Sequence, residues 1–334
     1  MKYLFIVFSL IIIGCSRYQS LGLKPHFFGK KAKHIVWIQV PSLSLEQIAI
    51  LKLGRGDMNS LTAFESFQCL GNLWSYNIYN LRPRSFDGFQ SQILGSKNIK
   101  GTCDDFDRKS VWSYFEESGY EVGLVEDRTD KDYSLTSLSS CSNELNPLKS
   151  IYLWSRNKGK GDFKTFHYQE GTGLDSKGLY YDKSCQQKRC YVSLRQNVEK
   201  LWEKFSAMNA RTFFIVRNFE IEKALKAKNI SSFKDGLQEL EKTIQFFQSK
   251  QKEKDVLLVV SSSRSAPVLL PDEGKQWASY ISRGKNLFVK KTNILGYLWA
   301  QGHGAENFCG TYDESHVFKR FLWSPKDGII NLVF

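Results

Sequence analysis

The chain has 334 residues, of which 42% are apolar and 14% aromatic, enough to fill a sizeable core and to exclude a disordered protein. Lys and Arg outnumber Asp and Glu by 47 to 34, a formal charge of +13. These cations are spread along the sequence, so they read as a basic, soluble surface or a face for anionic headgroups and acidic polysaccharide, not as a nucleic-acid stripe. Seven Cys and five His make a His-rich metal centre hard to build.

In chain order, Lys2 supplies a short positive region, and Tyr3 to Ile13 is an apolar run too short to span a bilayer comfortably. It ends in Ile12-Ile13-Gly14-Cys15, which resembles the lipobox of bacterial lipoproteins. That resemblance implies a signal peptide over 1–14 and acyl chains, palmitate among them, on Cys15. Membrane lipid would then be the first partner. Several chains at roughly 0.8 kcal/mol per buried methylene anchor a domain firmly. Ser16 in place of Asp resembles lipoproteins sorted to the outer membrane, with the domain in the periplasm or at the cell surface. In an exported protein a nucleic-acid partner is not expected.

Residues 15–33 read as a tether carrying a basic cluster, and 34–334 as the folded domain. His34-Ile-Val-Trp-Ile-Gln-Val40 is a strand of the buried kind, stopped by Pro41. Leu43 to Leu53 reads as a helix, and 58–67 has Leu61, Phe64 and Phe67 at helical spacing. An extended stretch spans about Leu73–Tyr79. Pro83 then precedes a helix that starts near Ser85 and ends at Gly95. Ser110 is placed to cap a short helix that Gly119 stops, before a strand over Tyr120–Val125.

Residues 130–190 are polar and without clear period, either an insertion or a cap over a sheet edge. Regularity returns with strand Thr212–Val216 and a helix placing Leu237, Leu240, Ile244 and Phe247 on one face. Strands Val256–Val260 and Tyr297–Ala300 follow. Strands alternating with helices predict an α/β fold, a mostly parallel sheet covered on both faces. The cysteines other than Cys15 fall at 69, 103, 141, 185, 190 and 309. An even number in an oxidising compartment allows disulfides, with Cys185–Cys190 the favoured pair and Cys103–Cys141 the next.

Several stretches, taken in order, resemble the alkaline phosphatase/sulfatase superfamily. They are the first strand and helix, Met58-Asn-Ser-Leu61, Ser85 ten residues before Gly95, the Gly119-Tyr120 strand, and Val259-Val-Ser-Ser262. The series ends with Ala300-Gln-Gly-His-Gly-Ala-Glu-Asn-Phe-Cys-Gly310 and Tyr312-Asp-Glu-Ser-His-Val-Phe318. The resemblance covers most of the chain outside 130–190 and implies a three-layer α/β sandwich. Active members hold two metals between carboxylates and His and attack phosphorus or sulfur with a Ser, Thr or modified Cys; Ser85 takes that nucleophile position.

The ligands do not carry over. Where the family follows its first strand with Asp-Gly, this chain reads Val40-Pro41-Ser42. Where it has Asp-His-x-x-x-His, the chain reads Glu222-Lys223-Ala-Leu-Lys226. Ser262-Ser263-Arg264-Ser265 replaces Ser-Asp-His-Gly, and Lys291-Thr292 replaces His-Thr. Protonated ammonium and guanidinium groups have no lone pair for a metal, so no metal or other cofactor is expected. The context Ser85-Phe-Asp-Gly lacks the Pro/Ala and Arg of sulfatase maturation motifs.

Three readings follow. One is an inactive relative in which Arg84, Lys223, Arg264 and Lys291 form a metal-free pocket for a phosphate- or sulfate-bearing ligand. Another is an ester hydrolase using Ser85 amid those same cations. The third is a lipoprotein whose basic face binds wall polymer or headgroups. Beside them stand plainer roles, Ser85 as a helix N-cap and Lys223 and Lys226 as solvated surface, and one more functional alternative, a one-metal site rebuilt from His303, Asp313 and Glu306.

Overall fold

The computed structural model describes residues 31–55, 59–127, 134–136, 141, 148–156, 158, 164–168, 173–181, 193–283 and 294–322. The signal-like segment with Cys15, the 185/190 cysteine pair and Lys291 lie outside them. The elements are β1 (His34–Gln39), α1 (Leu45–Leu53), β2 (Cys69–Trp74), α2 (Ser85–Leu94), α3 (Val111–Glu117) and β3 (Glu121–Glu126). Then come β4 (Tyr152–Ser155), β5 (Thr165–His167), β6 (Gly178–Tyr181), α4 (Leu194–Met208), β7 (Thr212–Arg217) and α5 (Glu220–Lys226). The chain continues through α6 (Ile230–Lys254), β8 (Val256–Ser261), α7 (Trp277–Arg283), β9 (Leu295–Gln301), β10 (Gly310–Asp313) and α8 (His316–Leu322).

All the described strands join one sheet, ordered β10-β2-β9-β8-β1-β7-β3-β4-β6-β5. Only β9 runs against its neighbours. The central strands β1, β7 and β8 are apolar runs because both faces are covered. Val36, Ile38, Phe214, Val216, Leu258 and Val260 face α1, α4, α5 and α6. Trp37, Phe213, Ile215 and Val259 face α2, α3 and α8. The expected mostly parallel α/β sandwich is therefore present.

The long helix α6 buries Phe233, Leu237, Leu240, Ile244 and Phe247, and the Asn229 side chain caps its start by accepting from the Ser232 amide. Gly95 ends α2 in the left-handed region at φ 63°, where a Cβ would also lie 2.9 Å from the Phe318 ring.

Three expectations shift. The apolar spacing over 58–67 forms no helix in the described residues 59–67. Instead the Thr62 amide donates to Glu65 (2.6 Å) and the Glu65 amide to the Thr62 hydroxyl (3.2 Å), closing one turn. Phe64 is apolar because it packs edge-on against Trp299 at 5.1 Å.

The second strand starts at Cys69, earlier than expected, between β9 and β10. Finally, the described parts of 130–190 include β4, β5 and β6, which extend the sheet rather than cap it. Their short, half-polar sequences carry little periodic signal.

Among the described residues two disulfides are formed, Cys103–Cys141 and Cys69–Cys309. The second joins positions 240 residues apart, which only the fold brings together. Among the described residues no helix is long and apolar enough to cross a membrane.

Candidate functional site

In open α/β sheets ligands bind outside the carboxyl ends of the parallel strands. Register places Ser155, Glu126, Arg217, Gln39 and Ser261 side by side along that edge. The face of the sheet that carries Trp37 and Phe213 lies under α2, so α2 roofs these residues.

Ser85 enters from the first turn of α2. The N-cap is Arg84, not Ser85. Asp87 accepts from the Arg84 amide (3.1 Å) and from its guanidinium (2.8 Å from Nη2), which closes the helix start. The Ser85 hydroxyl is thereby released from capping and donates to Glu222 Oε1 at 3.2 Å. Ser85 is 4% exposed, and Glu222 is equally buried.

Glu222 reaches this place because β7 ends at Arg217 and the Asn218 side chain accepts from the Glu220 amide (2.9 Å), starting α5 directly. One turn on, Lys226 holds the same Glu222 oxygen at 3.4 Å while 61% of its own side chain stays exposed.

The proposed cations do not share one environment. Arg84 is engaged by Asp87. Lys223 donates to the Asp127 carbonyl at 3.0 Å, and its ammonium lies 3.4 Å from the Asp127 carboxylate, which Arg156 also holds at 2.6 Å. Arg264 follows β8 and has a buried Nε with no hydrogen-bond partner. Lys291 lies outside the described residues.

The sequence reading missed two charged residues that the fold makes central. Arg217 and Glu126 form a salt bridge with both side chains fully buried. Glu126 also accepts from the Ser134 hydroxyl (2.5 Å) and the Leu135 amide (2.9 Å). The guanidinium lies over the rings of Phe89 (4.2 Å), Phe219 (4.8 Å) and Phe86 (5.5 Å). A charged residue closing each apolar run, Phe-Phe-Ile-Val-Arg217 and Val-Gly-Leu-Val-Glu126, was the available signal.

Next to this pair the roof is shut. A Cβ on Gly88 would meet the Ser263 carbonyl oxygen at 2.1 Å, so α2 rests directly on the loop after β8. Gln92 donates to the Ser262 carbonyl (2.9 Å) and accepts from the Ser261 hydroxyl (3.0 Å), to which Trp37 Nε1 also donates (2.8 Å). Glu314 lies under the same roof, and complete burial pushes its carboxyl well above the usual carboxylate range.

Two metals do not fit this set. Ser85 faces one carboxylate, Glu222, which is already shared with Lys226. The Gln39 and Gln90 amides and the Ser263 and Ser265 hydroxyls are buried without partners, and none supplies an anionic ligand. Among the described residues no group of three or more His, Cys, Asp or Glu is placed to hold a metal ion. The alternative of His303, Asp313 and Glu306 dissolves as well: His303 bonds Asp255, and Asp313 is held by Lys97 at 2.5 Å.

Beside this packed region lies a cavity of about 430 Å³. Asp127, Arg156, Glu220, Lys223, Asp235 and Glu239 are among its lining residues; Ser85 is not. Burial, with Asp127 as the next cause, pushes the Glu220 carboxyl up to about 7.

No protein-family model matches the sequence, and no curated protein matches it. Solved structures do. The alkaline phosphatase from the Antarctic bacterium TAB5 aligns with a TM-score of 0.67 at 15% identity, covering 88% of this chain and 98% of that one. That from Thermus thermophilus gives 0.62 at 12%, covering 88% and 91%. A cold-active alkaline phosphatase from the psychrophile Shewanella sp. gives 0.63 at 13%, covering 86% and 98%. Over nearly nine-tenths of its length, with the sheet edge and roofing helix described above, this chain has the alkaline phosphatase fold.

Proposed function

We infer that the protein is a catalytically inactive relative of alkaline phosphatases and sulfatases, held in the bacterial envelope by acyl chains on Cys15. It uses the inherited fold to bind an anionic group or a partner surface. The observation that carries the inactive reading is the surroundings of Ser85. A nucleophilic hydroxyl needs a base or a metal to lower its pKa and an open path for the ester. Ser85 is buried at the start of α2, and its one charged hydrogen-bond partner is a carboxylate shared with Lys226.

The anion reading is supported by donors. Arg264 Nε is buried without a partner just past β8, and the Gln39 and Gln90 amides, nitrogen and oxygen alike, are unmet at the carboxyl end of β1 and on the roofing helix. Unmet buried donors each cost about 1–3 kcal/mol, so an anion or ordered water that satisfies them is favoured. The lipobox resemblance supports the anchor, and the charge of +13 suits a face turned to anionic headgroups.

Purified protein is incubated with aryl phosphate and aryl sulfate, with and without added zinc, calcium or magnesium. The account expects no turnover that depends on Ser85. Hydrolysis that disappears in Ser85→Ala would replace this reading with the ester hydrolase. Mass spectrometry of membrane-extracted protein tests the anchor separately: diacylglyceryl and acyl mass on Cys15 is expected, and an unmodified Cys15 overturns it.

A further inference from the structure

The cavity lined by Glu220 is not part of the Ser85 region, and its chemistry is different. It sits beyond the carboxyl ends of β3 and β4, where Asp127 and Arg156 follow their strands, and is walled by the first turns of α5 and α6. Its volume of about 430 Å³ falls within the range of small-molecule sites, roughly 300–1,000 Å³.

Most charges in its wall are spent on one another. Arg156 and Lys223 both hold Asp127. Glu239 is held by Arg195 and Lys242 at 2.9 Å each. Glu220 and Asp235 remain: among the described residues neither carboxylate has a hydrogen bond or ion pair, and Asp235 is exposed while Glu220 is half-buried. The negative charge of Glu220 is therefore poorly solvated, and Asp127 opposes it more strongly than Lys223 or Arg156 supports it.

A glycine keeps the space open. Gly236 is a buried residue inside α6, where glycine is disfavoured relative to alanine. A Cβ there would meet only ordinary contacts, the nearest being Glu220 Cβ at 3.6 Å. Packing does not require glycine at this position. Its effect is to leave room beside Glu220.

We propose that this cavity binds a small organic cation, with Glu220 and Asp235 as counter-charges for its ammonium or guanidinium groups and Gly236 as the open wall. A bound cation supplies the partner that Glu220 lacks. A bare metal ion is not the fit, since among the described residues no trio of ligating side chains converges.

The test titrates the purified protein with 1,4-diaminobutane by isothermal calorimetry at pH 8, with succinate as the control. Saturable binding of the diamine and none of succinate is expected. Glu220→Gln should weaken it about tenfold or more, as should lowering the pH to 5.5, where Glu220 is protonated. The groups facing Glu220 are Asp127, Arg156, Lys223, Asp235 and Glu239, and the first three are joined in a shared ion pair.

Gly236→Ala should also weaken binding while leaving thermal stability equal or higher, which separates a blocked site from a misfolded one. Failure of the diamine to saturate, or equal affinity in Glu220→Gln, overturns the proposal. Succinate binding in place of the diamine assigns the cavity to Arg156 and Lys223 and overturns it too. Neither outcome bears on the inactive reading of Ser85, which the ester assays test.

Discussion

Two neighbouring regions at the carboxyl edge of one sheet have met the problem of buried charge in opposite ways. Over the central strands, Arg217 and Glu126 form a fully buried ion pair, and α2 is clamped onto the end of β8 through Gly88 and Gln92. Over β3 and β4, the ion pairs of Asp127 leave the half-buried Glu220 uncompensated beside open volume. Over the central strands, side chains and a helix roof fill the space. The open volume lies beside β3 and β4. Fold alone therefore does not locate the working surface; the distribution of paired and unpaired charge does.

The sharpest way to break this comparison is Arg217→Ala. It leaves Glu126 buried without its cation and should cost about 3–5 kcal/mol in denaturant unfolding. A loss below about 1 kcal/mol would mean the pair is not sealing the region. Glu220→Gln should do the opposite. A carboxyl whose folded pKa is raised from 4.5 to about 7 destabilises the fold increasingly as pH rises through that window. The variant should gain on the order of 1–3 kcal/mol at pH 8 and nothing at pH 4, read as the difference in unfolding midpoints.

Ser85→Ala removes one hydrogen bond to Glu222 and should cost about 1 kcal/mol, the size of a structural contact. Ser42, just past β1, sits at φ 74° although it is not glycine. Ser42→Gly should relieve that conformation and gain about 0.5 kcal/mol, measurable as a small rise in Tm.

Much of the fold was legible in the sequence because it depends on local periodicity. The runs at 34–39, 212–217 and 256–261 are apolar throughout, and the face of α6 repeats every three to four residues. Phe64 and Phe67 misled because their spacing matches a helix while their packing partners, Trp299 among them, lie far along the chain. Strands β4 to β6 are three or four residues long, too short for alternation to register. The site was legible only as a set of replacements.

Which residues now meet was not legible. Ser85 with Glu222, Arg217 with Glu126, and Cys69 with Cys309 are all contacts across long sequence separations. Lys223 read as a partner for Ser85 because it stands where the family has a His ligand, but successive residues on a helix point to different sides. Its ammonium goes to Asp127 instead.

The central claim is that the region around Ser85 does not hold metal. Metal content after incubation with zinc or calcium and gel filtration, by inductively coupled plasma mass spectrometry, tests it most directly. The account predicts sub-stoichiometric metal that does not change in Glu222→Ala. One or two equivalents per chain, lost when Glu222 is replaced, would contradict it.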